Sequence, residues 1–453
     1  MSYRGSFNMK NNAFREDFIW GAATASTQIE SAAFEDDKGL SNWDVYPSID
    51  NVVYQNQTPN DGCDHYHHVE EDVALMAKLG LKGYRFSIAW PRIIPNGVGE
   101  VNEKGLAFYD KLLDELEKHH IEPFATLFHW DLPYELVKKG GWLNEESPKW
   151  FLEYVKVVFN HFKGRIKNWI PINEPACVMD MGGTPLRANF SVKERLQTIH
   201  NLLLAHGYAA KYIKENGGRV GTALCSALYA PLDDKNEDDV KAARKEMFTH
   251  HNKADFWKIS MWADPIFLGK YPDEYYKLHD KFELPNITEE DMKIISTPID
   301  FFGLNLYTGS PVRGDGKILN HPIGNPKTIM DWDVYPKIIY WAPKFIYERY
   351  KKPFYITENG CGVTDIPTED KKVHDGARIE YLRQHLKYLR KAYDDGVDVR
   401  GYFLWSFMDN FEWFKGYNPR FGIVFVNYQT KERYEKDSFK FYQDTIKANG
   451  GNL

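Results

Sequence analysis

With 453 residues, 43% of them hydrophobic, the chain can bury a large core; it exceeds the roughly 250 residues of a bare α/β barrel by enough for one barrel with long loops. A formal net charge of −7 without any basic run argues against nucleic acid or an anionic membrane as a partner, and no stretch approaches the ~20 apolar residues of a membrane span. Residues 1–12 are polar and lack the apolar core of a leader, and the four cysteines (Cys63, Cys177, Cys225 and Cys361) have no paired spacing, so a reduced cytoplasmic protein is expected.

Eight β-like runs follow in chain order: 18–26, 83–90, 123–130, 168–174, 220–227, 301–308, 353–358 and 399–407. Between them lie stretches with apolar residues at three-to-four spacing, among them 70–79, 105–119, 148–162 and 377–393, which read as amphipathic helices. Eight alternating βα units specify a (β/α)8 TIM barrel with extended active-site loops. A doubly wound open sheet is the competing topology, but no glycine-rich phosphate loop follows the first run. No low-complexity linker or long-period repeat interrupts the chain, so 1–453 is read as a single domain with 1–12 as a loosely ordered arm.

The fourth and seventh runs end in Asn173-Glu174-Pro175 and Thr357-Glu358-Asn359-Gly360. A parallel barrel gathers the C-terminal ends of its strands at one mouth, and two carboxyls meeting there are the apparatus of glycoside hydrolysis. The alternative is that each glutamate merely caps the helix that follows it. Other runs also end in hydrogen-bonding or flat aromatic residues: Gln28 after the first, Arg85 and Trp90 on the second, and His129, Trp130 and Asp131 at the third. Asn305 and Tyr307 end the sixth, and Trp405 ends the eighth with Glu412 and Trp413 just beyond. A core-only account explains each of these singly but not their common position. Aromatic residues make up 15% of the chain, and their apolar faces with polar handles suit sugar rings.

The stretches Ala25-Ser26-Thr27-Gln28-Ile29-Glu30, Tyr84-Arg85-Phe86-Ser87-Ile88-Ala89-Trp90, His129-Trp130-Asp131-Leu132-Pro133, Asn173-Glu174-Pro175, Ile356-Thr357-Glu358-Asn359-Gly360 and Trp405-Ser406-Phe407-Met408-Asp409-Asn410-Phe411-Glu412-Trp413 together resemble glycoside hydrolase family 1, the β-glucosidases and their relatives, in order from about 14 to 442. The resemblance implies a retaining β-glycosidase acting on small β-glycosides or oligosaccharides without cofactor or metal. Glu358 matches its nucleophile and Glu174 its acid/base. Arg85 and Tyr307 match the residues that hydrogen-bond the nucleophile and hold it anionic. Asn173 matches the ligand of the sugar 2-hydroxyl. Gln28, His129, Trp130, Glu412 and Trp413 match residues that hold other hydroxyls, with Asn305 beside them at the end of the sixth run. Trp405 matches the stacking platform, Phe421 lies near the 6-position, and Trp332 matches the aromatic wall for the leaving group.

Three departures from the family pattern stand out. Ser31 replaces a usual glycine, Leu306 replaces the first of two tyrosines after Asn305, and 179–191 is shorter and less regular than the family's stretch after strand four. The last of these should flank the leaving-group side. His65, His67 and His68 beside Cys63 invite a zinc reading, but their spacing suits no common four-ligand site. Cys177 and Cys361, each three positions after a glutamate, read as small packing residues. A sugar-binding protein without catalysis would be expected to lose one glutamate. A transglycosidase would share all of these residues. A 6-phospho-β-glycosidase is the rival hydrolase; there a carboxylate at 412 should repel the phosphate.

Overall fold

The structure, a computed structural model, describes residues 13–181 and 190–453. Eight strands form one all-parallel sheet: β1 Ile19–Ala23, β2 Gly83–Ser87, β3 Glu122–Phe128, β4 Asn168–Ile172, β5 Arg219–Val220, β6 Phe302–Asn305, β7 Phe354–Asn359 and β8 Val399–Trp405. In the sheet their order is β5-β4-β3-β2-β1-β8-β7-β6. The two ends meet through parallel bridges of Gly221 with Phe301 and Leu224 with Leu304, with Leu224 N donating to Gly303 O at 3.0 Å and Asn305 N to Leu224 O at 2.8 Å. The sheet therefore closes on itself, and the TIM barrel expected from the alternation is the fold.

Parallel neighbours need long crossovers, and helices supply them. His65–Leu79, Glu103–Lys118, Ser147–Phe162, Val192–Glu215, Ile338–Tyr350 and Gly376–Asp394 each carry the chain between successive strands. Their starts follow local chemistry: Asn102 accepts from Lys104 N, Pro148 occupies the first turn of its helix, and Ser191 with Glu194 makes a capping box. The helices begin one to five residues before the predicted 70–79, 105–119, 148–162 and 377–393 and end within one residue of them, because the polar first turns lie outside the amphipathic pattern.

The barrel interior is packed. Phe124, Phe301, Tyr355 and Phe403 fill its floor, with ring centroids 4.8 Å apart for Phe124–Phe403 and 5.0 Å for Phe301–Tyr355. These rings need small neighbours: a Cβ at Gly221 would stand 2.0 Å from Phe301 Cε2. A second apolar layer, from Trp20, Val69, Tyr154 and Trp169 through Leu386 and Tyr442, lies between strands and helices.

Several runs end earlier as strands than the sequence suggests. β2 stops at Ser87 because Trp90 opens a short helix, Trp90–Ile93, and stacks on Tyr154 at 5.0 Å and 14°. Trp90 is therefore a core residue and not part of the mouth. Ser31 holds φ +59°, the left-handed region that favours glycine, which accounts for the family's preference there. Its Oγ compensates by accepting from Asp64 N at 3.2 Å and donating to Pro59 O at 3.3 Å. Leu306 is fully buried in the outer layer, away from the mouth. Of the segment 179–191, residues 182–189 lie outside the described residues, as does the arm 1–12.

Candidate active site

The C-terminal strand ends surround a cavity of about 310 Å³. Twelve of the fourteen candidates line it: His129, Trp130, Asn173, Glu174, Asn305, Tyr307, Trp332, Glu358, Trp405, Glu412, Trp413 and Phe421. Arg85 and Gln28 lie behind the wall, 1% and 0% exposed.

One hydrogen-bonded chain joins the two glutamates. Glu174 Oε1 accepts from Asn305 Nδ2 at 2.8 Å, and the same nitrogen reaches Asn173 Oδ1 at 3.0 Å. Arg85 Nη2 donates to Asn173 Oδ1 at 2.6 Å while its Nη1 donates to Glu358 Oε1 at 2.5 Å. Tyr307 closes the far side, its hydroxyl donating to Glu358 Oε2 at 2.7 Å. Arg85 is itself fixed by donating to Thr126 Oγ1 and Thr357 O, both at 3.1 Å.

Arg85 and Tyr307 thus meet Glu358 as the sequence reading expects, but they do not dominate its charge. Burial pushes the Glu358 carboxyl up to about 7; the Arg85 charge opposes this, the Glu174 charge adds to it, and the hydrogen bonds from Tyr307 and Arg85 work against it. Glu358 accepts from a cationic guanidinium on one oxygen and a phenol on the other, whereas the donors to Glu174 are a neutral amide and a thiol, so the hydrogen-bond pattern favours Glu358 as the carboxylate.

Histidine, glutamine and glutamate around the cavity carry polar atoms without a protein partner among the described residues. Burial, with Arg85 nearby, drives His129 well below its usual pKa, so the ring is neutral. Its Nε2 accepts from Asn173 Nδ2 at 3.1 Å, which places the proton on Nδ1, a buried donor with no partner. Glu412 Oε2 and Gln28 Oε1 are likewise buried and unpartnered. Gln28 Nε2 donates to Asn410 Oδ1 at 3.0 Å and Phe411 O at 2.8 Å, tying β1 to the loop that carries Glu412. Unpaired buried polar atoms at a cavity wall are the signature of a site awaiting a polar ligand.

Aromatic faces complete the walls. His129 lies nearly parallel to both Trp405 and Trp413, at 5.8 Å and 17° and at 6.0 Å and 18°. Trp332, partly exposed, packs against Tyr307 at 5.1 Å and Phe421 at 6.3 Å on another side. The β8 loop is held by buried charges: Asp409 accepts from Lys436 Nζ and Arg420 Nη1, each at 2.6 Å. Gly360 is required beside it, because a Cβ there would stand 1.6 Å from Trp405 O.

Some of the site has no sequence signal. Trp130, Glu174 and Trp413 adopt left-handed backbone, φ +77°, +46° and +48°. Such strain, of order 1–3 kcal/mol per residue, persists where surrounding structure dictates it; here Glu174 N is pinned to Ala223 O at 2.8 Å. Cys177, Cys225, Ser226, Leu228, Trp257 and Thr308 also line the cavity. Cys177 is one helical turn beyond Glu174, a spacing that could have placed it at the mouth; Trp257 comes from the long β5–β6 connection, which bears no motif. The histidines near Cys63 do not converge: His65 pairs with Asp72 at 2.7 Å, His67 with Asp64 and Glu35, and His68 with Asp64 O.

Burial, reinforced by Glu358 and Glu174, pushes the Glu412 carboxyl from an ordinary 4.5 to about 8. The fold therefore favours its neutral form, and the associated stability is complete below pH 4.5 and lost as pH rises through 8. Glutamine imitates the neutral acid. Glu412→Gln is expected to raise Tm relative to the parent at pH 8 and to leave it unchanged at pH 4. Thermal denaturation of both proteins across that range checks this; a gap that does not widen with pH would contradict it.

The glycosyl hydrolase family 1 model matches residues 10–451. β-Glucosidase A of Thermotoga maritima is 41% identical over 452 residues, covering 98% of this chain and 99% of the relative. An aryl-phospho-β-D-glucosidase of Bacillus subtilis is 37% identical, covering 97% and 98% respectively. A solved structure of the family 1 β-glucosidase from Thermotoga maritima superposes with a TM-score of 0.88 at 40% identity, covering 97% of this chain and all of that one.

Proposed function

The chain belongs to glycosyl hydrolase family 1, and from that premise and the geometry of the cavity we propose that it is a β-glucosidase working by retention, with 1–453 acting as one catalytic domain. The observation that carries the mechanism is the unequal treatment of two carboxyls on one cavity. Glu358 accepts from the Arg85 guanidinium and the Tyr307 hydroxyl, whereas Glu174 accepts only from weaker neutral donors, the Asn305 amide on Oε1 and the Cys177 thiol at 3.0 Å on Oε2.

In this reading Glu358 attacks the anomeric carbon while Glu174 protonates the departing oxygen, and a covalent glycosyl ester forms. Ester formation removes the charge on Glu358. Glu174, now without a like-charged neighbour, takes a proton from water, which attacks from the face the leaving group vacated. Two inversions retain the β-configuration. Asn173, whose Nδ2 uses one hydrogen on His129, has the other for the sugar 2-hydroxyl. The His129 Nδ1 proton and Glu412 offer hydrogen bonds to hydroxyls farther round the ring, Trp405 supplies an apolar face, and Trp332 flanks the leaving group. Gln28 acts from behind the wall, by holding Phe411 and Asn410 in place. The protein is expected to be cytoplasmic; among the described residues no helix is long and apolar enough to cross a membrane.

The relatedness to an aryl-phospho-β-D-glucosidase keeps a 6-phosphoglycoside as the second substrate class. Against it, no lysine or arginine appears among the described residues lining the cavity. With the Glu412 carboxyl pushed up to about 8 by burial, a phosphate would be disfavoured by lacking a cation more than by meeting a fixed negative charge. Initial rates on nitrophenyl β-glucoside, β-galactoside, β-fucoside and their available 6-phosphates test the assignment. The unphosphorylated substrates are expected to have kcat/KM at least about a hundredfold higher, equivalent to roughly 2.7 kcal/mol in transition-state binding. A preference for the 6-phosphates would overturn it.

A further inference from the structure

Two cysteines that make or break no bond in the proposed chemistry meet beside one of the two glutamates. Cys177 Sγ lies 3.0 Å from Glu174 Oε2 and 3.7 Å from Cys225 Sγ. The three ligand atoms all fall within 4.8 Å of one another. We propose that Glu174, Cys177 and Cys225 form a binding site for a thiophilic divalent cation, zinc or cadmium, whose occupation disables the glutamate.

The geometry fits a metal better than a covalent link. A disulfide needs its sulfurs about 2.05 Å apart. Two thiolates on a tetrahedral zinc, each about 2.3 Å from the metal, stand about 3.7–3.8 Å apart. Two sulfurs and one carboxylate oxygen form a soft set that selects zinc or cadmium over magnesium or calcium. All three residues line the cavity, and both cysteines are partly exposed, so an ion can enter and keep a fourth position for water. Glu174 is already oriented for the role, since Asn305 Nδ2 holds Oε1 and leaves Oε2 facing the thiols. Binding would release the two thiol protons to solvent and replace any proton on Glu174 Oε2 by the cation. The inhibitory consequence rests on Glu174 being the acid/base; the binding itself does not.

The test is a titration of metal-free protein with cadmium chloride, following the thiolate-to-cadmium charge-transfer absorption and, in parallel, hydrolysis of a nitrophenyl β-glucoside. One equivalent should develop the band and reduce turnover at least tenfold, and a chelator should reverse both. Cys177→Ser/Cys225→Ser should lose the band and bind cadmium at least about 100-fold more weakly, since losing the sulfur ligands costs more than the roughly 10–100-fold of losing a partner behind a ligand. If the double variant does not fold, Cys225→Ser alone should still weaken binding about tenfold. Undiminished binding in a folded cysteine variant, or no charge-transfer band in the parent, would overturn the site. A full band with unimpaired turnover would uphold the cation site and overturn the acid/base role of Glu174 instead.

Discussion

Glu358→Ala is expected to lower turnover of aryl β-glucosides by about ten-thousandfold or more, because no other group faces the anomeric carbon with an ionised oxygen. The pocket should survive the change. Arg85 loses one partner but keeps Asn173 Oδ1, Thr126 Oγ1 and Thr357 O, so its charge remains hydrogen-bonded. Turnover should therefore collapse while circular dichroism and binding of a non-hydrolysable glucoside analogue persist. In the intact enzyme a 2-fluoro glucoside with a good leaving group should trap the ester, and peptide mapping should find it on Glu358. Near-parental turnover in folded Glu358→Ala, or label on another acid, would remove Glu358 from the mechanism.

For Glu174→Ala the loss should depend on the leaving group. A sugar alcohol needs protonation to depart; a dinitrophenolate does not. Cellobiose hydrolysis should be nearly abolished, while dinitrophenyl β-glucoside should still form the glycosyl-enzyme. That intermediate should then accumulate, since the base for water has also gone. Azide needs no deprotonation, so it should accelerate release and yield the β-glycosyl azide, the product of two inversions. Equal losses on both substrates without azide rescue would mean Glu174 is not the acid/base. An α-azide would mean that the first inversion does not occur at Glu358.

The barrel was legible because its causes are local. Runs such as Phe354-Tyr355-Ile356 are apolar throughout, as strands covered on both faces must be, and Glu103–Lys118 shows its buried side as Leu106, Tyr109, Leu113 and Leu116 at helical spacing. Boundaries were less legible where a short turn competes with the strand. Gly83–Ser87 ends before Trp90 because Pro91 suits the first turn of a helix, and the tryptophan that the run places at the mouth joins the core.

By itself the sequence determined which residue types stand at the strand ends, since a parallel barrel carries every strand's C-terminal end to one face and the order of the motifs is written in the chain. It thereby placed Glu174, Glu358 and most of their neighbours at a common mouth. How they share charge and contact follows from packing between strands. That Glu358 takes both Arg85 and Tyr307, and that burial nevertheless lifts its carboxyl and that of Glu412, depend on distances between atoms from different strands and on exclusion of water. The meeting of Cys177 with Cys225 has the same origin. One follows β4 and the other β5, 48 residues apart, and no spacing rule relates them; the closure of β4 onto β5 through the Asn173–Ala223 bridge brings their sulfurs together.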